Sequence, residues 1–371
     1  MNARWIRSRR AGVIAACLGI AAASGASAAS IGLPSSEAGL GLGNSREFRG
    51  LRLNWSDHRV RSVDGINLTF WKPGSNDRFA MDGIALGLYG PGVGQLHGIG
   101  AGLIGIEAGR STGILVAGIG VAGGDLTGIE AAGIAVASDG WMRGLQVAGI
   151  AIASDDAMDG VSVAGIACAA DGPMRGVQVA GIGLASDGSM TGMGIAGIGM
   201  AADASMYGIH VAGIGMAADG AMQGIHLAGI GLAADEEIVG LQIAGLGIAA
   251  DDGITGVSVA GLGVASDETM RGLSVAGLGV AAERAEGIQI AGGSLRGRDL
   301  VGLNLAGAYV RSESSVGFTA AVYNRAEDAR GLMLGIVNWT DSLRGVQIGV
   351  VNRVGEGPLG ARMLPVLNAR F

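Results

Sequence analysis

The chain repeats a short pattern of apolar and polar positions, seen clearly in the unit GIHVAGIGMAADGAMQ at residues 208–223. Counting the first Gly as position 1, positions 2, 4, 7 and 9 are apolar, and position 3 is polar or small. The alternation around position 3 is typical of a β-strand. Because the step from position 4 to position 7 is odd, one flat strand cannot turn all four apolar side chains to one face. The intervening Ala-Gly pair therefore predicts a corner or a bulge, where Gly tolerates unusual backbone angles.

Eighteen units align on position 1, with spacings of 15 residues at first, 16 in the middle, and then 15 and 14. The aligned residues are Gly83, Gly98, Gly113, Gly128, Gly144, Gly160, Gly176, Gly192, Gly208, Gly224, Gly240, Gly256, Gly272, Gly287, Gly302, Gly317, Gly331 and Gly345. One short unit cannot bury its own apolar side chains, so such units stack on their neighbours. We therefore predict an all-β protein, a β-solenoid (parallel β-roll or β-helix) of about eighteen coils with end caps. At roughly 4.8 Å per coil it would be about 85 Å long.

The pattern also divides the chain into segments. The first residues, MNARWIRSRR, carry four Arg and no acid, and an apolar stretch with a small-residue ending follows. These features predict a secretory signal peptide over residues 1–28. Weaker alternatives are a twin-Arg signal at residues 8–10 and lipidation at Cys17. Residues 29–47 are expected to be a flexible leader, 48–82 an N-terminal cap, 83–344 the solenoid repeats, and 345–371 the last coil and the C-terminal cap.

Composition narrows the function. The chain has 72 Gly among 371 residues, which argues against ordinary helices, since Gly in a helix costs roughly 1 kcal/mol relative to Ala. The formal net charge of −7 becomes −11 when the four Arg of the predicted signal peptide are removed, so we expect no nucleic-acid partner. Cys168 is the one cysteine outside that peptide, and no intramolecular disulfide is expected.

Several columns of equivalent residues are candidate functional sites. Position 12 carries a column of aspartates, for which we expect turn closure by a hydrogen bond to the backbone rather than calcium binding. Its members are Asp139, Asp155, Asp171, Asp187, Asp203, Asp219, Asp235, Asp251 and Asp267. Position 3 is expected to face outward as a polar surface, with His210 and His226 lacking a third metal ligand. It contains Gln146, Ser162, Gln178, His210, His226, Gln242, Ser258, Ser274 and Gln289.

Other equivalent residues predict packing rather than chemistry. Cys168 shares position 9 with core residues and is expected to be a small core side chain. Seven methionines occupy the same anchor position near the turn: Met142, Met158, Met174, Met190, Met206, Met222 and Met270. Asn324, Asn338 and Asn352 are expected to form a stack that is hydrogen-bonded along the axis. No catalytic constellation, phosphate-binding loop or G-x-S-x-G motif is found, so we predict no enzyme activity, no catalytic or metal-binding residues and no cofactor.

The C-terminal coils resemble a known family. The segment GLMLGIVNWTDSLRGVQIGVVNRVG and the Pro-Val-Leu-Asn ending are similar to the repeat-containing bacterial surface proteins first noted in spirochaetes. The match covers about residues 317–371, and the run at residues 87–92 is similar, whereas the central coils use Ala-Gly and a Gly where that family has Asn. The resemblance implies an envelope or surface location and supplies no functional residues.

These observations predict an exported, non-enzymatic protein of the cell envelope or surface, acting as a structural spacer or a binding platform for an envelope glycan or another protein. We expect no transmembrane helix. The alternative is an outer-membrane β-barrel that forms a pore, which the terminal Phe371 and the uncharged segments favour. Against the barrel, only 14 aromatic residues are present. Matching columns are also expected from parallel rather than antiparallel neighbours. Membrane association is expected only for a barrel or a chain lipidated at Cys17.

Overall fold

The computed structural model describes residues 30–74, 76–355 and 363–370. Within these ranges the regular structure is entirely β-strand, without any helix. The predicted signal peptide, residues 1–28, and Cys17 within it lie outside the described residues.

Thirty-two strands make up the described structure. The N-terminal part contains β1 (Ile31–Pro34), β2 (Ala38–Leu42), β3 (Glu47–Asn54), β4 (Ser62–Thr69), β5 (Ala80–Gly87), β6 (Gly92–Gly102), β7 (Gly105–Ala117) and β8 (Gly120–Ala132). The central part contains β9 (Ala135–Ser138), β10 (Met142–Ala148), β11 (Ala151–Ser154), β12 (Met158–Ala164), β13 (Ala167–Ala170), β14 (Met174–Ala180), β15 (Gly183–Ser186), β16 (Met190–Ala196), β17 (Gly199–Ala202), β18 (Met206–Ala212), β19 (Gly215–Ala218), β20 (Met222–Ala228), β21 (Gly231–Ala234), β22 (Glu237–Ala244), β23 (Gly247–Ala250), β24 (Gly253–Ala260), β25 (Gly263–Ser266) and β26 (Thr269–Ala276). The C-terminal part contains β27 (Gly279–Ala291), β28 (Ser294–Ala306), β29 (Tyr309–Ala320), β30 (Tyr323–Leu334), β31 (Val337–Val354) and β32 (Met363–Arg370).

The strands form a β-solenoid, as predicted. In the central coils a longer strand and a four-residue strand alternate, and each pairs in parallel with the equivalent strand one coil away. Parallel pairing continues without a break from β2 to β31, through about nineteen stacked coils. The antiparallel barrel that was the alternative is therefore excluded as the fold. At roughly 4.8 Å per coil, nineteen coils give a rod about 90 Å long.

Two columns of glycine allow the coils to stack closely. The glycines at position 1 have positive φ throughout, for example +121° at Gly208, a region that side chains with a Cβ rarely adopt. A Cβ on Gly208 would overlap the carbonyl oxygen of Gly192 in the preceding coil. The position 6 glycines, such as Gly213, lie at the predicted Ala-Gly corner, where a Cβ would overlap the carbonyl of the preceding coil. At this second column, close approach rather than positive φ requires Gly.

The stack begins earlier than the sequence indicated. Residues 29–47, expected to be a leader, contain the antiparallel pair β1 and β2. Residues 48–82, expected to be a cap, contain most of β3 and all of β4, which stack in the same parallel register with Gly39, Gly50 and Gly65 in the glycine column. The repeat is hard to see here because 18 residues separate Gly65 from Gly83. At the other end, β32 pairs antiparallel with β31 and lies on the edge of the last strand.

The core is a narrow column inside the rod. The position 9 residues and the methionine anchors are almost fully buried, with 1 % exposure at Cys168 and at most 2 % at the seven methionines. Their predicted places in the core are confirmed. Alanines at position 5, such as Ala148, complete the interior. With so little width, the core has no room for the apolar residues at positions 2, 4 and 7.

Candidate functional surfaces

The polar residues at position 3 face the interior, so the predicted outward polar surface is wrong. Gln146, His226 and Gln242 are fully buried, and the other members of the column predicted from the sequence are at most 3 % exposed. We call the buried polar residues at position 3 the inner polar column; besides the nine predicted residues it contains Arg52, Asn67, Glu130, Asn304, Thr319 and Gln347. At Gln146 and at Gln242 the neighbouring coil supplies hydrogen-bond partners that an isolated strand lacks. Gln146 Nε2 donates to Glu130 Oε2 at 3.0 Å, and Ser162 Oγ donates to Gln146 Oε1 at 3.2 Å.

Three titratable groups in the inner polar column have strongly shifted pKa values. Burial raises the pKa of Glu130 to about 7, although its hydrogen bond from Gln146 acts in the opposite direction. Burial lowers the pKa of His210 and of His226 to about 4, and the charge of His210 lowers that of His226 further. The two imidazole rings are stacked with their centroids 5.3 Å apart. Both histidines are therefore neutral at neutral pH.

The described residues contain no group of three or more His, Cys, Asp or Glu side chains placed to hold a metal ion. The position 12 aspartates are exposed at the turn edge. In three coils the turn-closing hydrogen bond is accepted by the serine at position 11 and not by the predicted aspartate. Ser154 Oγ, for example, accepts a hydrogen bond from the amide of Asp156 at 3.3 Å, and Ser138 and Ser186 act in the same way.

The predicted asparagine stack is confirmed in the C-terminal coils. Asn324 Nδ2 donates to Asn338 Oδ1 at 2.8 Å, and Asn338 Nδ2 donates to Asn352 Oδ1 at 2.7 Å. Each amide also bonds to a backbone carbonyl nearby, such as that of Ile348 for Asn338. All three side chains are fully buried, so the stack ties the interior of successive coils together.

A buried ionic cluster lies in the interior near the N-terminal end, and sequence reasoning missed it. Arg52 and Asp57 are fully buried and form an ion pair of 2.7 Å. Asp57 also accepts hydrogen bonds from Asn67 Nδ2 at 2.9 Å and from Thr69 Oγ1 at 2.7 Å. Arg52 and Asn67 stand opposite each other in the inner polar column. Recognising position 3 as an inward position would have identified them.

The apolar residues expected inside form an outward apolar face instead. This face consists of positions 2, 4 and 7, together with the outward Ala and Gly at positions 8 and 10, over residues 128–281. At position 7, Ile150 and Ile214 are 43 % and 46 % exposed, and Leu278 is 60 % exposed. The outward positions of this face carry no charged residue. An uncharged face of this extent is the main surface feature of the rod.

Beyond that face, arginine replaces the alanine of position 10; it stands at position 10 for Arg296 and Arg311 and, in the shorter last coils, at position 9 for Arg325 and Arg353. Ala281 pairs with Arg296, which pairs with Arg311, and this in turn pairs with Arg325. In the next coil Trp339 pairs with Arg325, and Arg353 occupies the equivalent place in the last coil. We call Arg296, Arg311, Arg325 and Arg353 the arginine column. Aligning the last coils with a one-residue gap at the corner of each shorter coil would have revealed it in the sequence.

Comparisons with known proteins provide no further assignment. No protein-family model, curated protein or solved structure was found to match this chain. Among the residues that the structure describes, none lies in a helix with the length and apolar character needed to cross a membrane. A function for this chain is therefore inferred from the surfaces of the β-solenoid itself.

Proposed function

We propose that the protein is an exported, non-enzymatic rod of the bacterial cell envelope or surface, acting as a structural spacer and binding platform. The observation that carries this proposal is the outward apolar face along the rod. Monomeric soluble proteins rarely expose a contiguous apolar patch beyond about 300–600 Å². Ten coils stacked at roughly 4.8 Å set the length of this face, and the eight residue steps from position 2 to position 10 set its width. Together they give an area on the order of 1,000 Å². A surface of this size fits a rod that binds a partner along its length better than a rod that is solvated on all sides.

The occupant that best fits the outward apolar face is a second copy of the rod. A standard protein interface buries about 800 Å² on each partner, which this face can supply. In a twofold contact each patch meets itself, and this patch has no charge to repel its copy. A second copy also has the same rise per coil, so its rows of Ile and Val match along the whole contact. The arginine column at one end favours antiparallel rods, because parallel rods would bring two cationic columns together.

Export and surface location form the other half of the proposal. The basic N-terminus followed by an apolar stretch supports export, and the C-terminal coils that resemble bacterial surface proteins support an envelope location. In a bacterial host producing the full chain, we expect the protein in the envelope fraction and cleavage by protease added to intact cells. Retention in the cytoplasm would contradict the proposal.

The role of the face is tested separately with purified protein. The variant Ile198→Ser/Ile214→Ser/Ile230→Ser places three hydroxyl groups on it, and we expect light scattering to report half the mass of the wild type. Asp187→Ser/Asp203→Ser/Asp219→Ser alters the opposite edge of neighbouring coils and is the matched control, expected to remain paired. Equal masses for the wild type and the isoleucine variant would exclude this face as the contact.

A further inference from the structure

The arginine column is a row of cations with unusual surroundings. Its members stand at the same outward position in four of the last five coils, and Arg296, Arg311 and Arg325 are exposed. With about 4.8 Å between coils, the row from Arg296 to Arg353 extends over roughly 19 Å. In the central coils the same position holds alanine, for example Ala249. The fold therefore does not require arginine here.

No ion pair joins these four arginines to any carboxylate in the part of the chain that the structure describes. Arg298, only two residues beyond Arg296, shows the contrast. It pairs with Glu283 at 2.9 Å and with Glu313 at 3.3 Å, one in each neighbouring coil. Like charges directly opposite each other on neighbouring strands destabilise a sheet. Stability alone would thus select against the arginine column, which indicates a binding role.

Aromatic rings lie beside three of the four guanidinium groups, those of Arg296, Arg325 and Arg353. The Arg296 guanidinium carbon lies 5.1 Å from the centre of the Tyr309 ring. The guanidinium carbons of Arg325 and Arg353 lie 5.0 and 4.2 Å from the centre of the Trp339 ring. These contacts restrain the three guanidinium groups and leave their N–H edges able to form paired hydrogen bonds with an oxyanion. Three of the four side chains are thus restrained before a ligand arrives.

We propose that the arginine column binds a single extended acidic polysaccharide that lies parallel to the rod axis, with its carboxylates on successive guanidinium groups. The surroundings favour a narrow ligand. Two residues beyond the column runs an acidic row with Glu313, Glu327 and Asp341, which would repel a flat anionic membrane or a wide duplex. Trp339 is covered by guanidinium groups, so it offers no free face for a stacked nucleic-acid base.

This inference rests on the proposed platform function for its biological setting, because an exported rod meets envelope glycans. The test is affinity electrophoresis and calorimetry of the purified protein with polygalacturonate, and with its methyl-esterified form as the neutral counterpart. Arg311→Ala/Arg325→Ala restores the alanine of the central coils and is expected to fold normally. Arg143→Ala/Arg175→Ala, in which both arginines pair with Asp159, removes the same charge elsewhere and is the matched control.

The expected result is binding of polygalacturonate that weakens about tenfold or more in Arg311→Ala/Arg325→Ala, remains in the control and disappears with the esterified polymer. An equal loss in both variants, or none in either, would overturn the proposal. Tighter, arginine-dependent binding of oligothymidylate or of phosphatidylglycerol vesicles would overturn the ligand class. This assay is independent of export, so failure of binding with a chain located in the envelope overturns only the polysaccharide site. A cytoplasmic chain overturns the platform function whatever it binds.

Discussion

The two stacked histidines make the centre of the rod sensitive to acid, and the double variant His210→Gln/His226→Gln should remove that sensitivity. Both imidazoles are buried in the inner polar column, and burial lowers their pKa values from 6.5 to about 4. Glutamine is the conservative replacement, because Gln178 and Gln242 occupy the same column in nearby coils. The variant therefore keeps a polar side chain in the interior and removes only the titration.

The magnitude is set by the shift in pKa. Unfolded imidazoles bind protons as the pH falls through 6.5, whereas the folded ones remain neutral until about 4. The unfolded state thus binds more protons in this window, and folding stability that is complete above pH 6.5 is lost as the pH falls towards 4. One pKa unit corresponds to 1.36 kcal/mol, so a full shift amounts to about 3 kcal/mol for each imidazole.

The assay is denaturant unfolding followed by circular dichroism at pH 7.5 and pH 4.5. We expect the free energy of unfolding of the wild type to fall by several kcal/mol more than that of the double variant between these values. His97 is exposed beside Asp82, and His97→Gln is the control that should behave as the wild type does. If the double variant loses as much stability in acid as the wild type, the histidines are not buried as neutral groups in the folded rod.

Three further predictions concern single positions. Burial raises the pKa of Glu130 from 4.5 to about 7. The contribution of this side chain to folding stability is therefore complete below pH 4.5 and is lost as the pH rises through 7. In unfolding measurements at pH 8, Glu130→Gln should be about 3 kcal/mol more stable than the wild type. Gly208→Ala should lower the free energy of unfolding by at least about 2 kcal/mol because of its positive φ and the overlap with Gly192. The control Gly215→Ala, whose Cβ would lie 3.5 Å from the nearest carbonyl, should be neutral within about 1 kcal/mol in the same assay. Asn338→Ala leaves buried amide and carbonyl groups unpaired and should lower thermal stability by about 2 kcal/mol by calorimetry.

The sequence predicted the coil and its period because the spacing of the glycines reflects a direct backbone constraint. Each position 1 glycine meets the equivalent glycine of the preceding coil, so the period of the glycines is the period of the fold. The burial of Cys168, of the methionine anchors and of the asparagine stack could be predicted for a similar reason. Each of these sets occupies its own position of the coil, so equivalent residues of successive coils are neighbours along the axis.

The sequence could not indicate which side of the first strand faces inward. Alternation along the strand places positions 2 and 4 on one side and positions 3 and 5 on the other. Hydrophobicity then predicts that positions 2 and 4 face the interior, which is wrong. The inner side is decided by the narrow interior, which accepts Ala148 at position 5, and by hydrogen bonds between coils, such as that from Gln146 to Glu130. Neither effect exists within a single repeat. The exposed apolar face and the arginine column became apparent only once this inside and outside were known.

Small-angle X-ray scattering of the purified protein without detergent, with mass per unit length derived from the cross-section, tests the paired rod most directly. We expect particles about 90 Å long with the mass per length of two rods for the wild type. For Ile198→Ser/Ile214→Ser/Ile230→Ser we expect the same length with the mass per length of one rod. A wild type that scatters as a single rod, or as a compact particle much shorter than 90 Å, would contradict the pairing of two β-solenoids through their apolar faces.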